Sequence, residues 1–257
     1  MAYLIVCIVA LLASGLTLFS GFGLGTLLLP AFALFFPAEV AVALTAVVHF
    51  LNNLFKLYLV GKFADRNVVL RFGIPAILAA YGGARLLLWL ADMPPLLRYT
   101  LFSNSLEIMP VNLTIGVLMI GFAVMELLPE RKQFTLDARY LPFGGLLSGF
   151  FGGVSGHQGA LRSMFLLRCG LSKDSFIATG VVIACLIDTS RLFVYSDRFH
   201  PANFQESGGL LIAATLAAFA GAFIGRQYMH KITMRGVQIL VAVLLFLLAL
   251  GLIGGVI

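Results

Sequence analysis

His157, Gln158 and Arg162 follow a run of small residues, Ser148 to Ala160 (Ser-Gly-Phe-Phe-Gly-Gly-Val-Ser-Gly-His-Gln-Gly-Ala), in an otherwise apolar stretch. A half-helix starting near Gly156, Gln158 and Gly159 would present free N–H groups and a positive dipole end, with Arg162 about one turn along. That arrangement suits a small oxyanion. A similar patch, Ser14 to Thr26, lies 134 positions earlier, and its counterparts of the three polar residues are Gly23, Leu24 and Leu28. The polar insert is therefore an asymmetric addition to a repeated frame. The bland alternative for Arg162 is snorkelling to an interface or neutralising a carboxylate.

Downstream of the first patch, Thr45, His49, Asn52, Asn53 and Lys56 fall at relative positions 0, 4, 7, 8 and 11, one stripe of a helix. The corresponding stretch of the second half carries Thr179, Asp188, Arg191 and Tyr195 on a similar stripe. Polar groups in an apolar helix are expensive, so these stripes are expected to face the interior, as substrate contacts or as interhelical hydrogen bonds. Asp188 and Arg191, at i and i+3, suit an intrahelical pair. His49 and His157 are open to two readings, proton-linked groups or satisfied core imidazoles. No H-E-x-x-H, G-x-S-x-G or paired-Asp constellation is present, and Gly21-x-Gly-x-Gly lacks the strand that a dinucleotide fingerprint requires, so neither an enzyme nor a nucleotide site is expected.

The surroundings of these residues define the class of protein. The chain is 61% hydrophobic and 11% charged, with mean hydropathy +1.04, more apolar sequence than a soluble fold hides. Its apolar runs are continuous and near the ~20 residues that cross a bilayer, which indicates helices and excludes an alternating transmembrane barrel. Seventeen Lys and Arg against eleven Asp and Glu read as cytoplasmic loops beside anionic lipid, with no nucleic acid implied. Cys7, Cys169 and Cys185 have no metal-binding or disulfide spacing and read as buried free thiols. Residues 3–19 lack the marks of a cleaved signal and read as a retained membrane element.

No charge precedes Glu39. A straight 38-residue helix would be about 57 Å long, nearly twice the hydrocarbon thickness, so a break is expected at Gly21, Gly23 and Gly25, with Pro30 and Pro37 as further candidates. Other elements are expected at about 40–61, 68–90, 108–128, 140–169, 173–196, 207–228 and 233–256. Residues 14–60 and 148–194 align without gaps, sharing eight identities that include Ser14/Ser148, Gly25/Gly159 and Thr45/Thr179. If 3–37 and 140–169 are hairpins that return to the side they entered, loop Lys and Arg are expected to divide nine to four, and residues 62–71, 131–139 and 226–235 to share the cytoplasmic face. The expectation is an all-α integral membrane protein of two inverted repeats, 1–128 and 140–257, joined by a cytoplasmic linker, 129–139. Each repeat then has a glycine-broken re-entrant hairpin and three transmembrane helices, with both termini outside.

Ser14-Gly15 through Gly25 with Pro30, the Pro37-to-Thr45 segment, Ser148-Gly149 through Gly159, Gly170-Leu171-Ser172-Lys173 and Ala178-Thr179 together resemble the sulfite exporter TauE/SafE family, over nearly the whole chain. The resemblance implies transport of sulfite, an organosulfonate or an organic acid across the bacterial inner membrane, without cofactor. On this reading a secondary transporter, tending to export, works by alternating access. The anion would rest between the hairpin tips, held by N–H groups around Gly21 to Gly25 and Gly156 to Gly159, with Arg162 and Lys56 or Arg191 offsetting its charge. His157 and Gln158 depart from the family's simpler glycine run and are expected to select the substrate. An anion channel or a non-transporting scaffold subunit is the alternative, and association into a homodimer stays open.

Overall fold

Glycines and the local chemistry of loop residues set the helix boundaries. The computed structural model describes residues 1–20, 24–101, 104–127, 137–197, 201–228 and 234–256, and among these it has ten α-helices. They are α1 (Ala2–Ser20), α2 (Leu24–Ala33), α3 (Ala38–Val60), α4 (Arg66–Ala91), α5 (Pro110–Leu127), α6 (Leu141–Ser155), α7 (Gly159–Leu166), α8 (Lys173–Ser196), α9 (Pro201–Tyr228) and α10 (Met234–Ile253). Asp65 caps α4 by accepting the Val68 N–H, and Ser172 caps α8 by accepting the Ser175 N–H. α6 stops at Gly156, whose φ of +79° suits a residue without Cβ. α2 runs through Pro30, so that proline removes one hydrogen bond without ending the helix. Gly21 and Gly23 lie outside the described residues.

Helices 38–63, 66–91, 173–196 and 208–225 are long and apolar enough to cross a membrane, and Pro110–Met125 and Ala242–Ile253 are shorter apolar stretches. Leu70, Ile74, Leu78, Tyr81 and Trp89 form an exposed apolar stripe on α4, and Ile239, Val243, Leu247 and Leu250 form one on α10. Outward-facing apolar stripes match a lipid surround. The chain is an all-α integral membrane protein with one small addition that the apolar-run reading does not register. This is an antiparallel hairpin, β1 (Leu97–Leu101) and β2 (Asn104–Ile108), in register Leu97 to Ile108.

The register of side-chain contacts gives the helix directions. On α6, a Cβ at Gly145, Gly149 or Gly153 would strike the carbonyl of Phe72, Ala76 or Ala80 on α4, so these two helices run parallel with backbones in near contact. On α9, Gly209, Gly221 and Gly225 meet Tyr3, Leu11 and Gly15 of α1, again parallel. α3 and α8 run antiparallel: His49 meets Asp188, while Asp65, just beyond the end of α3, donates its N–H to Thr179 near the start of α8. α5 and α10 are also antiparallel, with Glu107 beside Gly255 and Gly116 beside Ala249 and Ile253.

The apolar interior is divided in two. One core joins α1, α2, α3, α5, α9 and α10 with the far ends of α4 and α8. The other joins Val68 to Ala80 of α4 with Leu141, Phe165, Leu166, Ile183 and Ile187. Each core draws on both halves of the sequence.

α7 returns to the 138–140 turn from which α6 departs, and Cys169 after it lies among the charges of Asp65, Arg71 and Asp137. Arg168 and Lys173 therefore sit at the 61–65 end, where the nine-to-four division had placed them opposite.

Close backbone packing makes a stability prediction. Gly149→Ala forces a methyl into the Ala76 carbonyl and is expected to cost about 1–3 kcal/mol. Gly82→Ala meets nothing within 4 Å. Thermal unfolding in detergent should show a lowered midpoint for the first variant and an unchanged or raised one for the second.

Candidate functional site

The start of α2 and the break between α6 and α7 lie in the interior, beside each other and the polar stripes of α3 and α8. A Cβ on Gly25, at the start of α2, would stand 3.4 Å from the Gly156 carbonyl oxygen and within 4 Å of Thr45 and His49. The start of α2 thus lies beside the end of α6, at ordinary van der Waals distance for a side chain at position 25. Thr45, His49, Asn52, Asn53 and Lys56 are all buried, as are Thr179, Asp188, Arg191 and Tyr195. The seam between α3 and α8 is consequently polar while its flanks are apolar.

Asp188 is the hub of the seam. One carboxylate oxygen accepts from His49 Nδ1 at 2.6 Å. The other accepts from Gln158 Nε2 at 3.1 Å and Arg191 Nε at 3.0 Å, with Arg191 Nη2 at 2.8 Å. Asn53 Nδ2 lies 3.2 Å from His49 Nε2. It also lies 3.1 Å from Nδ1, so the Asn53 amide packs along the imidazole edge that meets Asp188. Arg191 Nη1 donates to the Gly152 carbonyl, and the Tyr195 hydroxyl donates to that of Gly153. These bonds satisfy carbonyls in the last turn of α6, where helical partners run out. Arg191 is committed to Asp188 and to α6, and both ionic groups are fully buried.

Lys56 and Arg162 stand differently. Lys56 lies seven residues beyond His49 on α3, about 10 Å toward the 61–65 end. Arg162 lies one turn into α7, against Gly180 of α8, and each cation is within the electrostatic reach of the other. Among the described residues neither has a carboxylate or hydrogen-bond partner for its side chain, although Lys56 is 6% exposed and Arg162 Nη1 is fully buried. Thr45 Oγ1, Asn52 Nδ2, His157 Nε2 and Gln158 Oε1 are likewise buried and have no hydrogen-bond partner among the described residues. Buried polar atoms are almost always paired in native structures, so this concentration marks a place built to meet a polar ligand or water.

His157 does not join the Asp188 network. Its ring stacks on Phe122 of α5, with centroids 4.9 Å apart, and its Nδ1 lies 3.1 Å from the Ser155 hydroxyl. Residues that the sequence reading singled out only as repeat markers have a plain job here. Ser14 donates to the Asn52 side chain and ties α1 to the α3 stripe, while Ser148 donates to the Gln158 carbonyl and closes the α6–α7 break on itself. The signal was their identity at the same place in both repeats. Phe122, Ser155, and Cys185, which lies within electrostatic reach of Arg162 and Asp188, carried no such signal.

A family profile described as Sulfite exporter TauE/SafE matches residues 6–252. The chain belongs to the sulfite exporter TauE/SafE family. TauE/SafE proteins are membrane transporters of sulfite or related anions, and this multi-pass protein is one of them. The match runs from α1 to α10, so both hairpins, the Asp188 hub and the two unpaired cations lie within the TauE/SafE region. No curated protein matches the chain.

Proposed function

We propose that this protein is a secondary carrier that moves sulfite or a similarly small oxyanion outward across a bacterial inner membrane. The observation that carries the reading is a pair of cations, the buried Lys56 and the half-buried Arg162, neither with an ion-pair partner among the described residues; Asp188, within electrostatic reach of Arg162, is already engaged by Arg191 and His49. An arginine fork grips two oxyanion oxygens and a lysine supplies a point charge, while the first N–H groups of α7 add a positive helix end. His157 and Gln158 at the α7 tip would tune which anion is accepted.

The antiparallel pairing of α3 with α8 and of α5 with α10 supports two inverted repeats, since equivalent helices related by an in-plane axis run in opposite directions. With 61–65 on the cytoplasmic side, the helix directions put Lys or Arg at 62, 66, 71, 139, 168, 173, 226 and 235 at the cytoplasmic ends of the described segments and Arg98 at the outer end. That eight-to-one division among the described residues favours the orientation. Alternating access would come from one apolar core rocking against the other across the polar seam.

Counterflow in proteoliposomes tests the proposal. A carrier preloaded with unlabelled sulfite is expected to accumulate labelled sulfite transiently against its gradient. A flux that follows voltage without exchange identifies a channel, and no flux identifies a scaffold; either result overturns the carrier.

A further inference from the structure

We infer that the transported anion is bound as a compact dianion, and that Lys56 sets this charge preference. The inference rests on the carrier reading above and deepens it.

The charge inventory of the seam is explicit. Arg191 and Asp188 cancel one another at 2.8 Å. His49 shares the Asp188 carboxylate with Arg191 and brings no negative charge. The Cys185 thiol and the Tyr195 phenol also face the site from α8 and add no positive charge, and His157 at the start of the α7 tip is stacked on Phe122 beside Ser155. Lys56 on α3 and Arg162 on α7 remain, two positive charges within reach of each other and of no carboxylate not already engaged.

A buried ion without a partner costs several kcal/mol, and a bound anion that supplies the missing charge relieves that cost. A monoanion satisfies one of the two cations and leaves the other uncompensated. A dianion satisfies both. The division of labour fits a three-oxygen anion: the Arg162 fork engages two oxygens and the Lys56 ammonium the third. A sulfonate has the same three oxygens but half the charge, so it makes the Arg162 contacts and wastes Lys56.

Sulfite offers a test within one molecule, because it loses its second proton near neutral pH, whereas methanesulfonate stays a monoanion. The purified full-length protein would be titrated with each anion by calorimetry from pH 6 to pH 8 at constant ionic strength. Sulfite affinity is expected to rise roughly tenfold across that range while methanesulfonate stays flat and weaker. In Lys56→Met the sulfite rise should disappear, and in Lys56→Arg, which keeps the charge, it should persist. Equal affinity for the two anions at pH 8, or a sulfite affinity that does not depend on pH in the native protein, overturns the dianion preference and leaves the carrier standing if counterflow is seen. Absence of binding by any anion together with absence of counterflow overturns both. If Lys56→Met fails to stay monodisperse, the native protein's two titrations and Lys56→Arg still decide the question.

Discussion

Replacing Arg162 by alanine is expected to abolish anion binding while the protein remains folded. The guanidinium has no partner among the described residues, so its removal strands no buried group of the protein. The loss falls on the ligand. Truncating one member of a buried charge-to-charge contact costs about 2–5 kcal/mol, roughly thirty-fold or more in affinity. Arg162→Lys should keep part of the attraction and lose the two-pronged grip. Binding titrations, with gel filtration as the folding control, check both variants. Collapse of both on the column would instead assign Arg162 to holding α7 against α8.

The second large effect is expected at Asp188, and there the damage should be to the fold. Asp188→Ala leaves Arg191 fully buried without its carboxylate and removes the acceptor shared by His49 and Gln158. Breaking a buried pair from one side costs about 3–5 kcal/mol. The midpoint of thermal unfolding should drop well below that of Arg162→Ala. Removing both charges, as in Asp188→Leu with Arg191→Met, should recover much of that loss, because no unpaired ion remains. An Asp188→Ala protein as stable as the native one, but unable to carry anion, would move Asp188 from the framework into the transport chemistry.

These two residues show how far composition and spacing reach. The stripes on α3 and α8 were legible because helical periodicity gathers Thr45 to Lys56 onto one face, and a polar face on an apolar helix has to be buried. The i and i+3 spacing of Asp188 and Arg191 was legible for the same reason. What Arg191 does with its remaining donor was not: the Gly152 carbonyl is 39 residues away, and a backbone acceptor leaves no trace in residue type. The glycine patches announced a break and a repeat. That Gly145, Gly149 and Gly153 serve α4 rather than a neighbour in sequence depends on which surfaces fit, and small residues fit many. The β1–β2 hairpin was hidden for another reason. Arg98 and Thr100 alternate with Leu97 and Tyr99 and face Glu107 and Ser105 across the strands, so no apolar run forms to draw notice.

The parallel contact between α1 and α9 also bears on how the chain is made. A ribosome must add about 180 residues after α1 before α9 begins, which at usual rates takes roughly ten to forty seconds. For that interval α1 is in the bilayer, or on its way there, with the face that receives Gly221 and Gly225 uncovered, and α4 waits more briefly for α6. Assembly therefore ends with the late helices closing onto the early ones. A nascent protein stalled at the 129–139 linker would still offer the α1 face to whatever membrane-embedded chaperone recognises an unfilled small-residue groove.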